Sequence, residues 1–497
     1  MHRSFQIGEI RCEIVSHIHH RASLAALAQT SQLFQDPALN ILWRNQGSLY
    51  HLARCFPSDL VIEELSPSGH KRMRLLRPIV ATDWERPLFY SHRVRHFLFE
   101  GTKRPVDLSD WIFSVLSLSL PGHYVFPNLK SLDWFPSEDS FPFTCLFLGP
   151  RVTRLSVKFP DSPSCLSLLS ALSQKHTSLT EVTLTGNWGN GVDNRYVSLF
   201  ANNLTHIESL AVPGLDWSAL LHLSRLATLR SLHLGKFIAS TPRPLFSSVA
   251  FSALETIYFG EIDVPSAISF ISVMGSAPVY SLYIRFASCI CTAEMFVLYR
   301  AIAVNISRTL THFTHQSTVM TLTEAEQRTC KVDKNVMRIL CCFPNLVGMI
   351  ITSPAGFELD DDTLADLACA WPRLESFSLT SGLVRPGAAK PRATLAVLHH
   401  LAKHCSQLRM LRLPFNATVV PSAAPMAGER VVHAALRNLH IEHCPIEASL
   451  PVSRFLSGIF PNISVWAFGT TGRGRWMEVQ EQLLHFAAAR AEERAWA

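Results

Sequence analysis

Apolar residues recur along this chain in a short cassette, apolar-x-x-apolar-x-apolar. It starts at Val94 (Val94-Phe97-Phe99) and returns at Leu129, Val152, Leu179, Ile207, Leu229, Leu254 and Val279. It continues at Leu310, Leu346, Leu374, Leu408 and Leu436, and ends at Ile463 (Ile463-Trp466-Phe468). The last two positions of each cassette alternate, which is the period of a strand buried on one face. Between cassettes lie helical patterns, such as Thr363 to Ala368 and Leu395 to Leu401. One strand and one helix cannot bury both apolar faces alone, so neighbouring units must stack.

From Leu129 to Ile463, twelve intervals span 334 residues, a mean near 28, with individual spacings from 22 to 36. A single cassette arises easily by chance, whereas fourteen in order do not. Three are preceded by Pro-Asn-Leu or Pro-Arg-Leu (127–129, 344–346, 372–374). The pattern resembles the leucine-rich repeat, whose unit is about 20 to 29 residues. Asn187, Asn416 and Cys444 complete its longer form. The expected fold is α/β, a leucine-rich-repeat solenoid shaped as a horseshoe with a parallel sheet on its concave face. About fourteen irregular repeats fill 93–470, and residues 471–497 form a capping helix with Trp476, Val479, Leu483 and Phe486 on one side. At about 4.8 Å per strand the concave face is roughly 60 Å long, a surface for protein rather than for a small substrate.

Residues 1–50 read as a small all-α domain of three helices, and 51–92 as a linker or N-terminal cap. Ile7, Ile10, Ile14 and Ile18 share one helical face, with Glu9 and Glu13 towards solvent. A second helix fits Ser23 to Gln29, with Ser23 as its cap. Asp36-Pro37 reads as the start of a third, carrying Leu39, Leu42 and Trp43. Ile7-Gly8-Glu9-Ile10, Ile14-Val15-Ser16-His17-Ile18, Leu24-Ala25-Ala26-Leu27, Phe34 and Pro37 to Trp43 together resemble an F-box. Family members typically open Leu-Pro-x-Glu-Ile; Ile7 takes the leucine position, and Gly8 replaces the proline that stiffens entry into the first helix. With Leu-Trp-Arg at 42–44, Asp83-Trp84 and Arg93-Val94-Arg95, the whole chain resembles the large fungal group of F-box proteins with leucine-rich repeats.

That resemblance implies a substrate receptor of a cullin-based (SCF-type) ubiquitin ligase. The F-box would dock on a Skp-type adaptor, which joins the cullin, while the repeats hold a protein substrate. The adaptor residues it implies are Ile7, Gly8, Ile10, Ile14 and Ile18, with Leu24, Leu27, Leu42 and Trp43 as core or contact face. The alternative is a repeat scaffold or regulator that acts independently of ubiquitin ligation.

Composition narrows the field. The 497 residues are 48% apolar and 17% charged, which excludes a disordered chain. A net charge of +6 over this length is too thin for nucleic acid or an anionic membrane as partner. Residues 264–284 carry no charge, but Pro265, Gly275 and Pro278 favour a helix followed by a buried strand over a membrane span. The twelve cysteines are scattered with no C-x-x-C pair. They read as buried reduced thiols of a cytoplasmic or nuclear protein.

Candidate chemistry is sparse. The triples His400, His404, Cys405 and His440, His443, Cys444 could ligate zinc, but one lacks a zincin glutamate and the other puts Cys444 at the buried repeat position. His17, His19 and His20 suit a helix C-terminus better than a metal. Asp360-Asp361-Asp362 reads as an acidic first turn. Lys71-Arg72-Met73-Arg74 with Arg77 reads as a solvated linker run, and Gly469 to Gly474 lacks the Lys-Ser/Thr of a phosphate loop. No catalytic constellation stands out, so a non-enzyme without cofactor or metal is expected.

In each cassette the residues flanking the inward pair point the other way. One such column runs Asp133, Ser156, Thr183, Ala211, His233, Tyr258, Tyr283, Thr314, Ile350, Ser378, Arg412 and His440, beside Phe135, Arg154, Lys158, Arg285 and His312. Tyr and Arg concentrate interface energy, so Tyr258, Tyr283, Arg285, His312 and Arg412 are the candidate substrate anchor.

Overall fold

The computed structural model describes residues 6–65, 71–101, 106–107, 111–160, 165, 169, 172, 178–186, 194–237, 245–246, 250–275, 277–319, 321–381, 390–421, 431–468 and 472–496. Asn187 and residues 469–471 lie outside them. The chain divides into two compact units, Met1–Ala219 and Leu220–Ala497.

The first unit begins with helices α1 (Gly8–Ser16), α2 (Arg21–Thr30) and α3 (Gln32–Arg44), with α1 and α2 both packed on α3. Their core is Val15, Leu24 and Ala38, lined by half-buried Ile18, Leu27, Ala28, Phe34, Ile41 and Leu42. Two expected starts are corrected. Helix α2 begins at Arg21, so Ser23 lies inside it. Helix α3 begins not at Asp36-Pro37 but at Gln32, where the Ser31 hydroxyl accepts from Leu33 N–H at 3.3 Å. Pro37 lies within the helix, and the Asp36 carboxylate accepts from Arg93 at 2.6 Å instead of capping.

Within 51–92 the described residues include regular elements. After β1 (Asn45–Gln46) comes the short helix Tyr50–Ala53, then an antiparallel pair, β2 (Val61–Leu65) and β3 (Lys71–Leu75). The basic run is β3 itself. Lys71 pairs with Glu63 at 2.5 Å and Arg74 with Glu64 at 3.0 Å across the hairpin. Beyond it, Arg77 grips Asp83 through two bonds of 2.8 and 2.9 Å, and Val80 N–H donates to the same carboxylate at 2.9 Å. The guanidinium and this N–H hold the Asp83 carboxyl at about 2. A depressed carboxyl stabilises the fold above the ordinary carboxylate range and loses that contribution as pH falls through about 2. Asp83→Asn is therefore expected to lower the melting temperature at pH 7, with the gap to wild type closing below pH 3 in a thermal-melt series.

The sheet of this unit runs β1, β4 (His96–Glu100), β6 (Ser131–Phe135), β7 (Arg154–Phe159), β8 (Glu181–Gly186) and β9 (Ser209–Val212), all parallel and in chain order. The remaining strand, β5 (Val106–Asp107), pairs with β3. Phe97, Phe99, Trp134 and Phe147 fill the interior, with Phe99 and Trp134 stacked at 4.4 Å.

The second unit carries β10 (Ser231–Phe237), β11 (Thr256–Ile262), β12 (Ser281–Phe286), β13 (His312–Ser317), β15 (Gly348–Ser353), β17 (Ser376–Ser381), β18 (Met410–Arg412), β19 (Asn438–Glu442) and β20 (Ser464–Phe468), again parallel in chain order. A separate pair, β14 (Val332–Asp333) and β16 (Phe357–Glu358), stands apart. The buried ladder runs in register through Leu232, Ile257, Leu282, Phe313, Met349, Phe377, Leu411, Leu439 and Val465. Each such side chain contributes about 1.5–3 kcal/mol by leaving water. Each of the two units is thus mixed α/β with a parallel sheet in chain order, an arrangement consistent with the expected leucine-rich-repeat solenoid.

The last cassette needs correction. The residue opposite Leu439 is Val465, so Ile463-Trp466-Phe468 is one place out of frame, and Trp466 and Phe468 face away from the core, 53% and 47% exposed. The uncharged stretch resolves into the helix Val264–Ile271, capped by Asp263 at 2.7 Å, followed by β12. No helix among the described residues is long and apolar enough to cross a membrane. The acidic triplet starts the helix Asp361–Ala370: Asp360 accepts from Thr363 N–H at 2.9 Å, and Asp361 from Thr394 N–H at 2.7 Å. The last helix, Arg473–Trp496, buries Trp476, Val479 and Leu483 against Ser449–Ile459 and β20. Its Gln480 side chain accepts the Val465 N–H at 2.5 Å, which occupies an edge-strand donor.

Candidate functional site

In the first unit the isoleucine stripe of α1 splits. Val15 is fully buried, and Ile18, just past the helix, packs beside it. Ile7, Ile10 and Ile14 remain 48%, 37% and 40% exposed. The reason is angular. At 100° per residue the stripe is wider than the arc that α3 covers, and the covered edge is the one carrying Val15. Leu24 is core, and Leu27 and Leu42 line it. Trp43 is half-buried and stacks on Tyr90 at 4.5 Å. Gly8 is the first residue of α1, and a Cβ there would meet only the Arg11 guanidinium, at 3.8 Å.

In the second unit the register reproduces the expected column: His233, Tyr258, Tyr283, Thr314, Ile350, Ser378, Arg412 and His440 lie opposite one another on successive strands, and Trp466 extends it. The first unit holds its own run, Leu98, Asp133, Ser156, Thr183 and Ala211. There Arg154 is tied to Glu181 at 2.6 Å.

Three of the five candidate anchor residues come together. Tyr258 and Tyr283 stack at 4.2 Å with planes 13° apart, and His233 stacks on Tyr258 at 5.4 Å. Arg285 donates to the Tyr258 hydroxyl at 2.6 Å and to the Tyr283 hydroxyl at 3.3 Å, while Tyr283 donates to the Gln316 side chain. Burial, with the neighbouring Tyr283, pushes the Tyr258 hydroxyl pKa up. Burial pushes the His233 imidazole pKa down. Beside this cluster Gly235 and Gly260 touch backbone to backbone, and a Cβ on Gly260 would lie 2.6 Å from the Gly235 carbonyl.

The other two residues lie elsewhere. His312 belongs to the neighbouring row, between Ser281 and Gly348, and is exposed. Arg412 stands four strands from Tyr283, about 19 Å at ~4.8 Å per strand. It forms a second cluster, bound to Glu442 at 3.1 Å and lying over the Phe468 ring at 5.7 Å, while His440 stacks on Phe468 at 5.5 Å. Sequence reasoning missed His233 and Gln316 as members of the first cluster, although both lie on the outward rows. It missed Trp466 and Phe468 because Ser-Val-Trp-Ala-Phe alternates in either frame and the larger side chains took the core positions.

The cysteines of the two histidine triples serve the interior. The Cys405 thiol donates to the Ala368 and Trp371 carbonyls, and Cys444 accepts from Phe415 N–H at 3.4 Å. Burial pushes both thiols up to about 12. Cys291 caps the helix Thr292–Asn305. Among the described residues no three His, Cys, Asp or Glu side chains gather as a metal site.

No protein-family model and no curated protein matches the sequence at a significant level. Among solved structures, the crystal structure of the leucine-rich repeat-containing protein LegL7 from Legionella pneumophila aligns with 58% of this chain and 93% of that one. The identity is 12% and the TM-score 0.28.

Proposed function

We propose that the chain is a non-catalytic substrate receptor of an SCF-type ubiquitin ligase, acting in the cytoplasm or nucleus. Its three N-terminal helices form an F-box that docks on a Skp-type adaptor, which joins the cullin, and its repeats hold a protein substrate. The observation that carries this reading is the split stripe of α1. Ile10 and Ile14, one turn apart on α1, and Ile7 just before it stay partly exposed, while a neighbouring valine satisfies the small core. An apolar helix face left in this way suits a partner's groove.

The test is co-purification of the full chain with a Skp-type adaptor and a cullin. Recovery of both supports the receptor, whereas their reproducible absence under mild salt leaves a repeat scaffold independent of ubiquitin ligation. Gly8 offers a second check. Ile7 is extended, at φ −79° and ψ 120°, as a residue before proline prefers, and position 8 opens the helix, where no N–H bond is lost. Gly8→Pro is therefore expected to stabilise α1 by about 0.4–1 kcal/mol. The check is a thermal melt of the N-terminal helices, and adaptor affinity should rise by no more than about fivefold in a titration.

A further inference from the structure

We propose that the outward face of the second unit's sheet takes an extended acidic peptide segment at two anchors, a carboxylate at Arg285 and a bulky apolar side chain at Trp466 and Phe468. This rests on the substrate-receptor reading and gives it a substrate class. The first anchor is a charge without a counter-ion. The Arg285 guanidinium is fixed by the two tyrosine hydroxyls, and no carboxylate among the described residues lies within ion-pair distance of it; Glu261 acts only at longer range. A guanidinium already oriented, half-buried and stacked beside two aromatic rings loses little freedom when an anion arrives.

The second anchor is different in kind. Arg412 there is already paired with Glu442 and lies on Phe468, so what the site offers is ring surface. Trp466 and Phe468 are large apolar residues exposed on the same face, and tryptophan is among the residues that dominate interfaces. Between the anchors the two outward rows hold Thr314, Gln316, Ile350, Thr352, Ser378 and Thr380. On β13, β15 and β17 this floor has no charge, and its hydroxyls and amide suit the polar backbone of a passing chain; the Arg412–Glu442 pair follows on β18 and β19. From His233 to Phe468 this face carries two carboxylates among the described residues, Glu442, paired with Arg412, and Glu261, which stands opposite Lys236, so Arg285 is the cation left over. The sign of the face therefore favours an acidic partner over a basic one.

The spacing fixes the length of the recognised segment. Six strand steps separate β12 from β20, about 29 Å at ~4.8 Å each. An extended chain advances about 3.3 Å per residue, so the acidic and apolar residues stand roughly nine apart.

The test is fluorescence anisotropy on the full chain, with labelled Gly/Ser/Thr peptides carrying one Glu and one Phe at spacings of about 3, 6, 9 and 12 residues. The expected result is tightest binding near nine, at least about tenfold tighter than at three. Arg285→Gln should remove the preference for Glu over Gln in the peptide. Trp466→Ala with Phe468→Ala should remove the preference for Phe over Ser. A phosphoserine arm replacing Glu distinguishes the two sources of the anion, and Arg285-dependent binding of either supports the site. No measurable binding at millimolar peptide, equal binding of a Lys-for-Glu peptide, or indifference to spacing overturns it. Adaptor binding measured on the same preparations separates this failure from failure of the receptor reading.

Discussion

Ile14→Asp is expected to abolish adaptor binding and leave the fold intact, while Val15→Asp, one residue on, should unfold the N-terminal helices. Ile14 is 40% exposed, so a carboxylate there stays hydrated in the free protein. Its cost to stability should fall within the ~0.5 kcal/mol usual for surface changes. In a complex, that carboxylate would be buried against an apolar partner, and a loss of about 2 kcal/mol or more is a fall of at least ~30-fold in affinity. Val15 is fully buried in a core of only three buried side chains. A carboxylate there costs several kcal/mol, more than so small a module can spare. Adaptor titration together with limited proteolysis at the arginines of α1 and α2 reads the two outcomes apart. Normal adaptor binding by Ile14→Asp would refute docking through α1.

The second large effect is on stability, at His315. It occupies a core position of β13, 3% exposed, with its Nδ1 at 2.9 Å from the Tyr299 hydroxyl and the Phe286 ring at 5.0 Å. Burial lowers its imidazole to about 4. Between pH 6.5 and about 4 the unfolded chain takes up a proton that the folded chain does not, so stability falls as pH drops through that window and flattens below it. The size is on the order of 3 kcal/mol at the bottom. His315→Leu alone strands the tyrosine hydroxyl and should cost about 1–3 kcal/mol at neutral pH. With Tyr299→Phe added, both polar partners are gone, and denaturant melts from pH 7 to 4 should lose this slope. A slope that persists in the double variant would assign it to other groups.

Much of the repeat was legible from the sequence because burial on one strand face has a period of two and the cassette repeats it fourteen times. Thirteen cassettes stand in frame. The fourteenth fails because β19, not local hydrophobicity, fixes the register of β20 by pairing Leu439 with Val465. Local caps were less legible. Asp36-Pro37 has the chemistry of a helix start, yet Ser31 opens α3 and Asp36 is drawn to Arg93, which is 57 residues distant in sequence. The hairpin of β2 and β3 was hidden for a similar reason. Its outward residues are charged, and only the partner strand makes Lys71 and Arg74 favourable there. Within the candidate anchor, strand periodicity placed Tyr258, Tyr283 and Arg285 on one face. It could not show that Arg412 binds Glu442, because that depends on which rows hold acids. The α1 stripe was visible too, but which of its edges is covered is decided by α3.

The most direct test of adaptor docking is hydrogen exchange of the full chain, free and mixed with a purified Skp-type adaptor. The expected result is new protection confined to residues 7–18 and their neighbours on α3, with the strand ladder from Leu232 to Val465 unchanged. A well-folded chain that forms no complex, or one whose protection appears only on the repeats, would contradict it.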